Sequence, residues 1–305
     1  MPTHQRDTFE NKTRDPIKFP GTIKSEKGNL PNLIIIGAQK CATTSLHYYL
    51  NLHPQISMSR EKELDFFIAE RNWQKGVGWY KSNFTGEALL YGESSPSYTT
   101  YPLWKGVPER MYSLIPDAKL IYIVRDPVER IISGYLHSRL KSGETRTIGE
   151  VLRDFENNRH VLRSRYFMQL GQYLQCYPKS NILVITLEDL HNHTHETLKK
   201  VFRYLNVEES FYSPKFKRIV HKTSDIVSNN RFNGLLRRLS ETGMAKRIPT
   251  VLRVQVGGLL SSLQPGKAKR PVLNERLRKE LIDYLRDDIN RLREFTGHDF
   301  EGWCV

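Results

Sequence analysis

Residues 33–46 read Leu33-Ile34-Ile35-Ile36-Gly37-Ala38-Gln39-Lys40-Cys41-Ala42-Thr43-Thr44-Ser45-Leu46. An apolar run ends in Gly37, a short loop carries Lys40, and hydroxyl side chains open the segment that follows. The run predicts a buried strand, and the segment after the loop predicts a helix. A loop between a strand and a helix N-terminus is typical of sites where backbone N–H groups bind phosphate. The sequence therefore predicts a phosphate-binding loop at this position.

The sequence motif of this loop differs from that of the nucleoside triphosphatases. Their loop reads G-x-x-x-x-G-K-[ST], with the lysine directly before the helix. Here Lys40 comes early and the second glycine is missing, which indicates a phosphate-bearing cofactor other than ATP. The alternative is an ordinary helix cap beside a solvated lysine. The cofactor-binding residues that we predict in this loop are Lys40, Cys41, Ala42, Thr43, Thr44 and Ser45.

Strand-like runs alternate with helix-like segments along the chain, which predicts an α/β fold. We expect a P-loop-like, three-layer α/β/α arrangement around a central parallel sheet. The predicted strands are Leu33–Ile36, Ala88–Tyr91, Lys119–Val124 and Asn181–Thr186. Helices are expected from Thr43 to about Leu52, after Pro127, around Leu198–Leu205 and over Leu277–Leu292.

The length and composition favour one domain with two basic or polar additions. The chain has 305 residues, of which 38% are hydrophobic, enough for one large core. Residues 1–30 are charged and lack apolar periodicity, so we expect a flexible arm. Residues 31–305 then form a single domain, with a basic insertion at about 214–265.

Cysteine usage and hydropathy predict a cytoplasmic chain without a metal site. Cys41, Cys176 and Cys304 are odd in number and widely spaced, which argues against a disulfide framework and a zinc site. No apolar run approaches the ~20 residues that a membrane span needs. Residues 1–28 contain no apolar signal core. The alternative is that the chain is a piece of a longer, anchored protein.

The net charge is +14, and most of the excess lies late in the chain. Between Lys215 and Arg270 there are 13 Lys or Arg residues against Asp225 and Glu241. Such a field attracts anions, including nucleotides, polyanionic sugars and acidic lipid headgroups. The segment Arg231–Leu263 has three interpretations: a docking face for an anionic acceptor, a packed helix with a solvated basic side, or a peripheral membrane contact. We expect no nucleic-acid partner, and the oligomeric state stays open.

A second set of polar residues follows the strand Lys119–Val124. Arg125 stands where the strand ends, Pro127 suits the first turn of a helix, and Ser133 lies two turns further on. Arg125 and Ser133 are predicted to hold a second phosphate, the arginine as a charge-assisted donor. The alternative is an Arg125–Asp126 surface pair followed by a capping proline.

Together these two loops resemble the cofactor loops of sulfotransferases that use 3′-phosphoadenosine-5′-phosphosulfate. The first is similar to their 5′-phosphosulfate loop, and the segment from Arg125 to Ser133 is similar to their 3′-phosphate loop. The likeness extends from about Pro31 to Leu205 and more faintly over 266–303, and it is strongest to carbohydrate sulfotransferases of the heparan sulfate glucosaminyl type. Further matching segments are Leu52-His53-Pro54, Lys62-Glu63-Leu64-Asp65-Phe66-Phe67, Gly76–Tyr80, Gly92–Tyr98 and Val107–Tyr112.

The resemblance implies transfer of a sulfuryl group to a hydroxyl or amine of an acceptor, with adenosine 3′,5′-bisphosphate as product and no metal. Lys40 is then expected to neutralise charge on the leaving phosphate, and Glu63 to act as general base. Gly266 and Lys267 match the last cofactor loop of the family. The expectation is a soluble, bacterial-type member that acts on a carbohydrate acceptor, either neutral or anionic.

Two residues differ from the family pattern, so the resemblance does not determine the acceptor. Asp65 stands where the carbohydrate enzymes often carry histidine, and Ser94 where some heparan enzymes carry a lysine near the substrate. Glu63 also has another interpretation, in which Glu61, Glu63 and Asp65 alternate as exposed carboxylates on a strand. The alternative functions are sulfation of a lipid or small-molecule alcohol, non-catalytic binding of nucleotides or polyanions, and a P-loop kinase.

Overall fold

A five-stranded parallel sheet forms the centre of the fold. The computed structural model describes residues 28–217 and 270–305. The strands lie in the order β2-β3-β1-β4-β5, and every neighbouring pair is parallel. They are β1 (Leu33–Gly37), β2 (Ile56–Met58), β3 (Leu90–Ser94), β4 (Lys119–Val124) and β5 (Ile182–Thr186).

Helices connect the strands and cover the sheet. None of those in the described ranges combines the length and the apolar character needed to cross a membrane. They are α1 (Thr43–Leu50), α2 (Gly76–Lys81), α3 (Val107–Leu114), α4 (Pro127–Lys141), α5 (Ile148–Val151), α6 (Arg159–Leu162), α7 (Tyr166–Leu174), α8 (Leu187–Asn192), α9 (Thr194–Leu205) and α10 (Glu275–Thr296).

The strand order determines where a ligand fits. The chain leaves β1 towards β2 and β3, on one side, and leaves β4 towards β5, on the other. Right-handed crossovers therefore place the following helices on opposite faces of the sheet. In such sheets a crevice opens outside the carboxyl ends of the strands where the direction reverses. The loops after β1 and β4 border that crevice.

Two apolar clusters fix the sheet and its outer layer. All residues of β1 are buried, as the long apolar run of a parallel central strand requires. On one face α10 packs against α7 and α4, and it closes a second cluster of apolar side chains. That cluster includes Val128, Ile131, Tyr135, Leu281 and Leu285.

The predicted α/β class with a central parallel sheet is confirmed. The bounds of β3 were wrong, because Gly92, Glu93 and Ser94 belong to the strand instead of following it. The strand β2 was not predicted, since three residues carry no usable period. The predicted arm 1–30 and the basic insertion 214–265 lie almost wholly outside the described residues, so the domain division stays a prediction.

Gly37 ends β1 against Thr99 and the neighbouring strand β4, and a side chain has no room there. A Cβ on Gly37 would lie 2.1 Å from Thr99 Oγ1 and 3.0 Å from the Tyr122 ring. We expect Gly37→Ala to lower the free energy of unfolding by about 1–3 kcal/mol, the usual cost of overpacking. Urea unfolding measures the change.

A matched control lies in α7. Nothing lies within 4 Å of a Cβ at Gly171, and its helical position favours alanine. Gly171→Ala should raise the free energy of unfolding by about 0.5–1 kcal/mol. Equal stability of the two variants would contradict the close packing at Gly37.

Candidate anion and transfer site

The loop between β1 and α1 turns sharply through two left-handed residues. Lys40 and Ala42 have φ values of +74° and +62°, in the region that non-glycine residues rarely adopt. Ala42 is the N-cap of α1 and has no side-chain acceptor for the N–H groups of the first turn, and no acidic residue lies in that turn. The backbone N–H groups of that turn and the helix dipole therefore favour an anion.

The predicted residues of this loop lie together, but they differ in what their side chains can reach. Thr43 and Ser45 are buried, and Thr44 and Ala42 are half-buried. The Cys41 side chain is fully buried, and burial raises the pKa of its thiol to about 11. Cys41 can therefore meet an anion only through its backbone.

Lys40 is a half-buried cation in cationic surroundings. Its Nζ lies 3.5 Å from His137 Nδ1 on α4. Burial, followed by the charges of Lys141, Arg130 and Arg125, lowers the pKa of Lys40. Burial also lowers the pKa of His137 to about 4, with Lys40 the next cause, so the imidazole is neutral near pH 7 and accepts from Lys40. The sequence contained no pattern that singled out His137.

Two arginines that the sequence did not single out hold the loop through hydrogen bonds to Gln39. Arg130 is fully buried, and its Nε donates to Gln39 O at 3.1 Å. Arg163 donates through Nη1 to Gln39 Oε1 at 2.6 Å. Burial, followed by Arg130 and Arg159, lowers the pKa of Arg163 to about 9. Arg130 Nη2 and Arg163 Nε are buried and have no acceptor among the described residues.

Arg125 stands at the carboxyl end of β4, as predicted. Its Nη2 lies 3.6 Å from Glu129 Oε2, and its buried Nε has no acceptor in the described part of the chain. Glu129 also pairs with Arg270. Ser133 lies on α4 one turn beyond Glu129, on the same helix face, and is half-buried. The two residues predicted to hold a second phosphate thus border the same crevice.

The interpretation of an Arg125–Asp126 surface pair was wrong. Asp126 is buried and caps α4, accepting from Glu129 N at 2.8 Å, and it also accepts from Cys304 N at 2.7 Å. Its carboxylate is therefore occupied by backbone N–H groups. Pro127 begins α4 as expected.

Glu63 approaches the crevice on a loop that follows β2. Its backbone N–H donates to Ser94 O at 3.0 Å, at the end of β3. The side chain is half exposed, and its Oε1 lies 3.0 Å from Lys62 Nζ. Its negative charge opposes the lowering of the His137 pKa by Lys40. Glu63 is therefore near enough to His137, the partner of Lys40, for its charge to affect the imidazole.

The alternative in which Glu61, Glu63 and Asp65 alternate on a strand was wrong. No strand covers them, and Glu63 and Asp65 have φ values of +65° and +48°. Asp65 is buried and paired with Arg71. Ser94 is fully buried within β3, so its side chain does not reach the crevice.

The cations of the crevice suit a ligand with two phosphate groups. The unsatisfied donors Arg125 Nε and Arg163 Nε and the half-buried Lys40 lie around the N-terminus of α1 and the start of α4. Gly266 and Lys267, predicted for a further cofactor loop, lie outside the described residues. Within the described ranges no group of three or more His, Cys, Asp or Glu residues is arranged to hold a metal ion.

The fold and this crevice define an α/β protein with a cationic site at the carboxyl edge of its parallel sheet. A family model described as the sulfotransferase domain matches residues 30–246. The match covers most of the chain, so the chain belongs to the sulfotransferase domain family.

Individual relatives agree with that assignment. The bifunctional heparan sulfate N-deacetylase/N-sulfotransferase 1 of Caenorhabditis elegans is 28% identical over 227 residues, which are 68% of this chain and 26% of that protein. The human heparan sulfate glucosamine 3-O-sulfotransferase 5 is 31% identical over 190 residues, 58% of this chain and 54% of that protein. The chain thus spans about a quarter to a half of these relatives.

A solved structure shows the same fold. The crystal structure of a sulfotransferase from Alicyclobacillus acidocaldarius superposes with a TM-score of 0.65. It covers 91% of this chain and 100% of its own, at 23% sequence identity.

The cationic surroundings of Lys40 lead to a prediction on the free protein. We expect Lys40→Met to raise the midpoint of thermal unfolding, because it removes a half-buried charge that other cations repel. The same change should reduce the rise in midpoint that adenosine 3′,5′-bisphosphate produces. Differential scanning calorimetry measures both. Lys199→Met is the control, since Lys199 is exposed on α9 and is not among the charges that lower the pKa of Lys40. A lower midpoint for Lys40→Met would contradict the electrostatic account.

Proposed function

We propose that the protein transfers a sulfuryl group from 3′-phosphoadenosine-5′-phosphosulfate to a hydroxyl or amine of a carbohydrate acceptor. One observation carries the proposal: Lys40 contacts His137 beside the N-terminus of α1, and Glu63 lies near enough to affect that imidazole, in a chain of the sulfotransferase domain family. A phosphate site alone would fit many nucleotide-binding proteins. A carboxylate across from the lysine adds a proton acceptor that transfer to a hydroxyl needs.

The donor nucleotide is held at two points in this proposal. The N–H groups at the start of α1 and the Lys40 ammonium bind the 5′-phosphosulfate. Arg125, with its unsatisfied Nε, and Ser133 bind the 3′-phosphate. The 3′-phosphate distinguishes this nucleotide from ATP and ADP. Gly266 and Lys267 stay predicted cofactor residues, and they lie outside the described part of the chain.

The transfer step uses few groups of the protein. When bound, the donor supplies an activated sulfuryl group and a phosphate leaving group. Glu63 accepts the proton of the acceptor hydroxyl while the new O–S bond forms. Lys40 neutralises the charge that the bridging phosphate oxygen gains as the old S–O bond breaks. His137 accepts a hydrogen bond from Lys40 and so directs the ammonium.

The acceptor class rests on relatives and charge. The relatives named above are heparan sulfate enzymes, and the +14 net charge favours an anionic partner. Asp65 is paired with Arg71 and Ser94 is buried, so acceptor contacts at these positions differ from those expected in the heparan enzymes. The cytoplasmic location stays a prediction, and the three interpretations of Arg231–Leu263 stay open.

The donor site can be tested without knowing the acceptor. Arg125→Ala should weaken binding of adenosine 3′,5′-bisphosphate at least 10-fold, because a charge-assisted contact contributes about 1.5–3 kcal/mol. Affinity for ADP should change much less. Titration calorimetry measures both ligands.

The control for that titration is Arg139→Ala, an exposed arginine on the same helix. Its affinity should equal that of the wild type. Tighter binding of ATP than of the bisphosphate by the wild-type protein would sink the sulfotransferase proposal and favour a kinase.

The base role of Glu63 has its own test. Glu63→Gln should lower the turnover number at least 100-fold, the usual contribution of a general base, and leave bisphosphate affinity unchanged. The assay follows labelled sulfuryl transfer to heparan-type and neutral polysaccharides, lipids and simple alcohols. Glu61→Gln, on the same loop and exposed, should behave as wild type. Near-normal turnover of Glu63→Gln would remove this residue from the base role.

A further inference from the structure

A carboxylate lies fully buried beneath the loop that presents Glu63. Glu93 is in β3 and has 0% exposure. It accepts hydrogen bonds from Tyr80 Oη at 2.6 Å, Ser95 Oγ at 2.7 Å and Tyr98 Oη at 2.8 Å. Burying an ionisable group is costly unless donors satisfy it. Hydroxyl donors satisfy both carboxylate oxygens of Glu93.

Two of these donors also hold the backbone of the Glu63 loop. Ser95 Oγ accepts from Asp65 N at 3.0 Å, and Tyr98 Oη accepts from Phe67 N at 3.4 Å. A hydroxyl has a single proton, so donating it to Glu93 turns the oxygen lone pairs towards the N–H groups of the loop. The carboxylate thereby orients both bridges.

The loop needs such support because its conformation is unfavourable. Glu63 and Asp65 both adopt left-handed backbone angles, with φ values of +65° and +48°. Non-glycine residues hold such angles only where the surrounding structure imposes them. With the bond from Glu63 N to Ser94 O, the segment 63–67 is attached at three points to the end of β3 and to the turn that follows it.

We propose that Glu93 is the positioning residue of the Glu63 loop: through Ser95 and Tyr98 it fixes the backbone of residues 63–67, and with it the Glu63 carboxylate relative to Lys40. The positioning of the loop stands on geometry alone. Its effect on turnover rests on the proposed function of Glu63.

Aromatic rings pack around the hydroxyl groups that bind Glu93, so the carboxyl group has no contact with solvent. The Phe66 ring stacks on Tyr80 at 4.1 Å and 7°, and Phe67 packs against Tyr80 and Tyr98. Burial raises the pKa of Glu93 to about 7, while the hydroxyl donors oppose that rise. In a site without water, hydrogen bonds are strong and an unpaired polar group lowers the stability considerably.

The variant Glu93→Gln distinguishes a role of Glu93 in positioning the loop from a role in filling the core. The amide keeps the size of the side chain, but its NH₂ group is a donor that faces hydroxyl donors. At least one bridge to the loop must therefore reorient. Ser95→Ala removes the bridge to Asp65 N directly. Both variants should loosen the same segment.

Hydrogen exchange of the full chain tests this without any acceptor. The amides of residues 63–67 should exchange at least about 10-fold faster in Glu93→Gln and in Ser95→Ala than in the wild type, because a local opening is made easier there. Tyr177→Phe is the matched control. It loses a buried hydroxyl bond to Ile115 O, of 3.0 Å, at the amino edge of the sheet, and should leave segment 63–67 unchanged. Unchanged exchange in both test variants would overturn the proposal.

A comparison of turnover number with bisphosphate affinity distinguishes mispositioning of Glu63 from general destabilisation. In Glu93→Gln the turnover number should fall about 100-fold, the cost of a displacement near 1 Å, with bisphosphate affinity within about twofold of the wild type. Tyr177→Phe should keep the wild-type turnover. A loss of bisphosphate affinity equal to the loss of turnover would overturn the positioning role. If the wild-type protein sulfates no acceptor, the proposed function fails, and the exchange comparison still decides the role of Glu93.

Discussion

The rest of the site depends on positive charge gathered around Gln39 and Lys40. Arg130 and Arg163 bind the backbone and side chain of Gln39, so the same guanidinium groups that shape the loop also create its field. Burial next to other cations lowers the pKa of Lys40 and of Arg163, which means that the free protein holds these charges at a cost. A ligand with two phosphates offsets that cost when it binds, because binding to the folded state stabilises it.

The opposite wall of the crevice is built on a buried carboxyl group. Glu93 orients Ser95 and Tyr98, and these hold the left-handed loop that carries Glu63. The two walls approach each other at His137, whose pKa is affected by Lys40 from one side and by Glu63 from the other. The sheet brings them together, since both loops follow its carboxyl edge.

The sequence predicted the elements that rest on local pattern. The strands β1 and β4 are apolar runs bounded by turn residues, and their bounds agree with the structure to within a residue. The loop after each strand was predicted with them. The three-residue strand β2 has too few side chains to show a period, and Glu93 and Ser94 read as a polar turn although they lie buried in β3.

The missed residues are those whose roles depend on distant partners. Arg130 reads as one basic residue of an amphipathic helix, and only its contacts with Gln39, His160 and Ser164 bury it. His137 acquires its place from Lys40, which lies 97 positions away in the chain. A single sequence does not show such pairings, whereas it does show the periodicity that places α4 itself.

The most direct test of the central claim is a crystal structure of the protein with adenosine 3′,5′-bisphosphate. The account predicts the 5′-phosphate at the backbone N–H groups that begin α1, beside Lys40, and the 3′-phosphate on Arg125 and Ser133. A bisphosphate bound elsewhere, or with its 3′-phosphate away from Arg125, would contradict the account.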